Sequence, residues 1–216
     1  MKKTIFLFAF IYINSLLIAQ HTAQDFLSGD EIVWYGLDFS KAKFVGAFDQ
    51  GAGAAPVTGH ELKTKYIPGW NMLIVNESAK YDLKRTFKKT SVVNDLSIVE
   101  KTNSKIDDDK IMSYNDYKFD DADKTINSII NGYAVGEKKQ GIGVVFIVES
   151  FNKGQQQGTV YVTIFDIKTK KVLIKEKIIG KAGGIGMRNY WAKTIFNAMV
   201  QVEKTYYKQW KKNNGN

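Results

Sequence analysis

The chain has no cysteine in its 216 residues, only two prolines and only two histidines. The missing cysteine excludes disulfide staples, thiol nucleophiles, cysteine-bound metals and a lipid anchor on sulfur. His21 lies in a polar lead-in, which leaves His60 as the single histidine further along. One histidine without cysteine is too few for an ordinary zinc site. A serine–histidine arrangement would have to use His60, and no Gly-x-Ser-x-Gly elbow is present. Seven aspartates fall between Asp107 and Asp123, but a calcium loop also needs a central glycine and a closing glutamate, and neither is there. The sequence calls for no cofactor and no metal, and it offers no catalytic set.

Long apolar runs are also scarce. The one that occurs, Thr4 to Ala19, follows Lys2 and Lys3 and is interrupted late by Asn14 and Ser15. A cationic start and a short apolar stretch predict a cleavable export signal over residues 1–19, with Ala23 as the alternative cleavage point. The run is short of the roughly 20 apolar residues of a spanning helix. Residues 20–216 are expected to form one domain, periplasmic or extracellular, with no transmembrane segment after cleavage. Without disulfides its stability must come from a core, and 44% hydrophobic and 13% aromatic residues supply one. The net charge of +9 falls to +7 once Lys2 and Lys3 leave, because residues 1–20 hold no acid. A basic balance suits polyanions and equally serves solubility. Export makes nucleic acid the wrong partner. An envelope protein or other envelope component is the right kind, and nothing in the sequence sets the oligomeric state.

The pattern along the chain alternates strands and helices. Glu31 to Phe39 is rich in β-branched and aromatic residues and reads as a first strand. Residues 48–59 read as a glycine-rich loop, and Pro68 opens a helix that runs to about Lys80. Thr90 to Lys101 reads as a second strand and Ile106 to Asp123 as an acidic surface loop. Asp120, Asp121 and Asp123 precede Ile126, Ile129 and Ile130, which predicts a helix from about Asp121 to Tyr133. Gly141 to Phe151 is apolar on both faces and reads as the central strand. Thr159 to Ile167 and Lys171 to Ile179 flank a short polar turn as a hairpin. Trp191, Ile195, Met199 and Val202 then step along one face of a final amphipathic helix. The expected fold is a single layered α/β (α+β) domain, with a mixed sheet of about five strands, a C-terminal β-hairpin and flanking helices.

Two places suggest binding. Gly183, Gly184 and Gly186 end a strand just before Arg188 and Asn189, where backbone N–H groups and a guanidinium would suit a small anion. Asn71 and Glu77 are the polar candidates to join them. Tyr206, Tyr207 and Trp210 extend the final helix beyond the width of a five- or six-residue strand, and so read as an overhanging partner surface. A third feature, the lysines from Lys168 to Lys181 along the hairpin, reads as protection of an exposed strand edge.

The order of elements, with a hairpin turning at FDIKTKKVL and a glycine-containing strand end before the last helix, resembles the periplasmic domain of curli-secretion-type lipoproteins. The penicillin-binding-protein activators and the TolB N-terminal domain share that shape. Asp166 and Thr169 match the hairpin turn, and Lys170 stands where those families have glycine. The segments WNMLIVNESAKYDL, GVVFIVESFNK and KAGGIGMRNYW resemble uncharacterised exported proteins of Gram-negative bacteria. The first resemblance implies an envelope accessory module that binds rather than catalyses; the second names no activity.

Overall fold

The computed structural model describes residues 20–48, 55–134, 136 and 138–215. The expected signal and half of the 48–59 loop, residues 49–54, lie outside them. The first helix, α1 (Ala23–Ser28), is opened by a capping box in which Thr22 and Asp25 satisfy each other's backbone N–H groups. The strands β1 (Glu31–Asp38) and β2 (Lys43–Val45) follow. Next come α2 (Gly59–Glu61), a π-helical turn (Leu62–Tyr66) and α3 (Ile67–Asn76), which continue one another, and then α4 (Leu83–Phe87). β3 (Ser91–Asn94), α5 (Ser97–Asn103), β4 (Met112–Ser113) and α6 (Ala122–Asn131) lead to three long strands, β5 (Ile142–Asn152), β6 (Gln157–Asp166) and β7 (Val172–Lys181). The chain closes with α7 (Met187–Gln201), a second π-helical turn (Val202–Tyr206) and α8 (Tyr207–Asn214). No helix among the described residues is long and apolar enough to cross a membrane.

β5 is the axis of the sheet, as its unbroken apolar run predicts. β6 lies antiparallel along one side of it, and β7 lies antiparallel to β6. Two parallel strands share the other side. β1 runs beside Gly143–Ile147 and β2 beside Ser150–Asn152. β3 and β4 add one further parallel strand each, outside β1 and β2 respectively. The α/β class with a mixed sheet holds, and the strands of the sheet among the described residues number seven rather than five because β2 and β4 are too short to show a period of two. Val144, Phe146 and Val148 enter one core, Val145 and Ile147 the other, and all five are fully buried.

The helices divide between the two faces for a reason of handedness. Crossovers between parallel strands are right-handed almost without exception, so reversing direction across a sheet moves the connecting helices to the opposite face. The chain goes outward from β2 to β3 through α2–α4, passes to β4 through α5, then returns inward from β4 to β5 through α6. Accordingly Trp70, Leu73, Ile74 and Phe87 pack with Trp34 on one face, while Ile98, Val99, Ile126 and Ile130 pack with Val33 and Tyr35 on the other. α7 and α8 join the first face.

Several boundaries correct the expected ones. The first long helix begins at Gly59, well before Pro68, because Thr58 and Glu61 form a capping box. Pro68 sits inside the helix, where its ring would press on the carbonyl four residues back. The π turn just before it, with the Ile67 N–H reaching Leu62, widens the coil there. The helix ends at Asn76 rather than at Lys80. Residues 90–101 split into β3 and α5, because the Asp95 carboxylate accepts both the N–H (3.2 Å) and the hydroxyl (2.5 Å) of Ser97 and turns the chain. Within the expected acidic loop, Ile111 is buried and Met112–Ser113 pair with β2.

Candidate functional site

The glycine-rich turn between β7 and α7 is built as a close reversal. The Gly183 N–H donates to the Tyr190 carbonyl at 3.0 Å, and the Tyr190 N–H donates to Gly186 at 2.9 Å. Gly184 and Gly186 have φ of 108° and 78°, the left-handed region that glycine enters without cost. A wide, open depression of 690 Å³ forms beside the turn and gathers Gly183, Gly184, Arg188 and Asn189 with Glu77. Its cations are already engaged. Arg188 pairs with Glu77 at 3.1 Å, Lys80 reaches the same carboxylate at 3.9 Å, and Lys193 lies over the Phe196 ring at 4.2 Å.

Asn71 does not belong to that depression. It is buried under β1, where the Leu37 N–H donates to its side-chain carbonyl at 2.7 Å and its amide donates to the Leu37 carbonyl at 3.1 Å. Asn103 works beside it, donating to Leu37 at 2.9 Å and accepting from the Phe39 N–H at 2.8 Å. β3 pairs with β1 only as far as Trp34, so these two side-chain amides satisfy backbone that no strand covers. Gly36 is needed for the approach: its φ is 102°, and a Cβ there would come within 2.4 Å of the Asn71 oxygen. Nothing in the sequence marks this pairing, because Asn71 and Leu37 are 34 residues apart.

The expected partner surface at the C-terminus is corrected. Tyr207 and Trp210 are buried, and Tyr206 is half-buried. α1 covers them: the Phe26 ring lies 6.2 Å from Tyr207 and 6.3 Å from Trp210. Tyr207 donates to the Leu27 carbonyl at 3.2 Å, and the Trp210 indole N–H donates to Glu176 at 3.1 Å. The hairpin lysines also do more than guard an edge. Lys177 pairs with buried Glu149 at 2.9 Å, and Lys175 pairs with Asp123.

At the carboxyl end of the parallel strands, the place where open α/β sheets bind ligands, two buried carboxylates face the α5–α6 side. Asp38 accepts from the Tyr133 hydroxyl at 2.6 Å and the Ser40 N–H at 2.7 Å. Burial pushes its carboxyl above the ordinary carboxylate range, against the pull of those two donors. Glu149 accepts from the Phe119 N–H at 2.9 Å and from Tyr161 at 3.3 Å besides its pair with Lys177. The two acids therefore hold separate networks and do not form a catalytic dyad. Above Asp38 lie two adjoining depressions of 270 and 290 Å³. Lys105 lines one, Lys124 the other, and Lys41 and Ser128 line both.

The outer edges of the sheet differ. The Ser91 and Asp95 N–H groups point into β1, on Asp30 and Trp34, so by alternation Val92 and Asn94 turn their N–H and C=O groups outward. A groove of 330 Å³ runs beside this edge, floored by Ile74, Tyr81, Leu83 and Val92. Tyr81 is 1% exposed, and its hydroxyl has no hydrogen-bond partner among the described residues. β3 carries neither lysine nor proline, the usual guards of an open edge. No protein-family model, curated protein or solved structure matches the chain, so its function rests on this geometry.

Proposed function

We propose that the chain is an exported, non-enzymatic binding module that takes an extended, acidic segment of another envelope protein along β3. The observation that carries this reading is the unguarded β3 edge beside an apolar groove. Strand addition uses outward backbone groups for affinity and flanking pockets for side-chain choice. The stretch next to β3 supplies the charge preference: Lys84 and Lys88 are exposed, and the carboxylate beside them, Asp82, is spent on the Arg85 N–H as the cap of α4. Lys84 and Lys88 have no ion-pair partner among the described residues.

The test is capture from an envelope extract, repeated with Val92→Pro. Proline at 92 removes an outward N–H and leaves the β1 ladder intact. A stoichiometric partner held by the native chain and lost by Val92→Pro at unchanged melting temperature is the expected result. If Val92→Pro does not fold, Asn94→Pro makes the same deletion one outward residue further along. A folded proline variant that keeps the partner sinks the proposal.

A further inference from the structure

We infer that the groove above Asp38, at the carboxyl end of the parallel strands, binds an elongated ligand carrying more than one phosphate group. This goes beyond strand capture: the groove lies on the α5–α6 face, whereas the apolar groove beside β3 is lined by the α3–α4 connection. Its cations are unspent. The ammonium groups of Lys105 and Lys124 have no ion-pair or hydrogen-bond partner among the described residues, and that of Lys41 has only the through-space attraction of buried Asp38. By contrast the Arg188 depression, which resembles an anion site in sequence, has its guanidinium neutralised by Glu77. In the groove, one carboxylate, Asp120, lines the walls against three lysines. Asp38 beneath is already held by Tyr133 and Ser40.

The spacing indicates the ligand's shape. Lys105 belongs to one depression, Lys124 to the other, and Lys41 stands at their junction with the Ser128 hydroxyl. Cations set out along a trough, not converged on a point, suit charges repeated along a molecule. Ammonium groups serve phosphates as point charges, and hydroxyls can donate to the remaining oxygens. A competing account is that Lys41 and Lys105 only offset the negative carboxyl end of α5. That account predicts no saturable ligand.

Isothermal titration with orthophosphate, tripolyphosphate and vesicles of phosphatidylcholine with or without phosphatidylglycerol separates these. Saturable one-to-one binding of tripolyphosphate, tighter than orthophosphate and weakened by salt, is expected. Lys41→Ala should weaken it about tenfold, as the loss of a charge-assisted contact. Lys105→Ala and Lys124→Ala should each weaken it about threefold. Lys208→Ala, at an exposed position of α8, should leave it unchanged. Binding of phosphatidylglycerol vesicles that Lys41→Ala abolishes would assign the phosphates to lipid headgroups at this same groove. No saturable binding of any probe would overturn the inference. So would vesicle or tripolyphosphate binding that Lys41→Ala leaves as tight as in the native chain, or an equal loss in Lys208→Ala.

Discussion

Lys89 shows how much one side chain can hold. Its ammonium is buried, lies 4.5 Å from the centre of the Phe26 ring, and donates to the carbonyls of Phe26 and Gly29, so it closes the carboxyl end of α1. Burial pushes it from 10.5 down to about 8, with Asp30 pulling the other way. Because the folded value is the lower one, the unfolded chain binds more protons between about 8 and 10.5. Stability should therefore rise with pH across that window and be insensitive to this group below it. Tyr35 and Tyr81, raised to about 12 by burial, act in the opposite sense above about 10. Comparison with Lys89→Met isolates the lysine: urea midpoints across the window should climb less in the variant, and equal slopes would show that Lys89 is not the source. None of this is legible in the run Lys88-Lys89, where the two lysines look alike; Lys88 is exposed. The same holds for His21, a lead-in residue by sequence, which meets Asp166 at 2.6 Å. Such pairings depend on partners 60, 63 and 145 residues away, which local pattern cannot supply.

Among the elements, the final helix was the most legible and also carried the clearest misreading. Trp191, Ile195, Met199 and Val202 are buried, as their spacing predicts. The stripe then changes phase. The π turn at Val202–Tyr206 adds a residue to one turn, so the next inward positions are Tyr207 and Trp210. Helix length against strand length predicts an overhang, but α1 covers the extra turns. Trp210→Ala should thus cost about 3–5 kcal/mol, as much as Trp191→Ala, by chemical denaturation. Deleting residues 206–216 should uncover Phe26 and destabilise the whole domain. A truncated chain that melts with the native one would show that the contact of α1 with α8 carries little energy. The strand β5 was readable from apolar continuity alone, whereas β2 and β4 owe their pairing to neighbours. Of the glycine-turn site, the sequence identified the turn, Arg188 and Glu77 correctly as neighbours. It placed Asn71 there wrongly, and it missed the lysine groove because Lys41, Lys105 and Lys124 come from the β1–β2 turn, the segment after α5 and helix α6.

At the scale of the molecule, two cores share one sheet. All four tryptophans, Trp34, Trp70, Trp191 and Trp210, lie in the core beneath α3, α4, α7 and α8. The other core is lined by Tyr35, Phe119, Tyr133, Tyr161 and Phe165 under α5 and α6. Because alternate residues of β5 enter each core, neither can be lost while the other keeps its sheet. Tryptophan fluorescence, which reports one face, should therefore melt together with far-ultraviolet circular dichroism, which reports both. A second dichroism transition without a fluorescence change would mean that α5 and α6 detach alone.

The way β1 and β2 divide the flank of β5 has a mechanical consequence. β5, β6 and β7 run unbroken, while the opposite flank is interrupted between Asp38 and Lys43. The sheet is spliced like a lapped joint, with the break on one side bridged by a continuous member on the other. A pull along the strands meets no plane at which every strand ends. It must shear the β5–β6 ladder, where ten residue pairs share the load. The short outer strands can meanwhile shift at the break without parting the molecule.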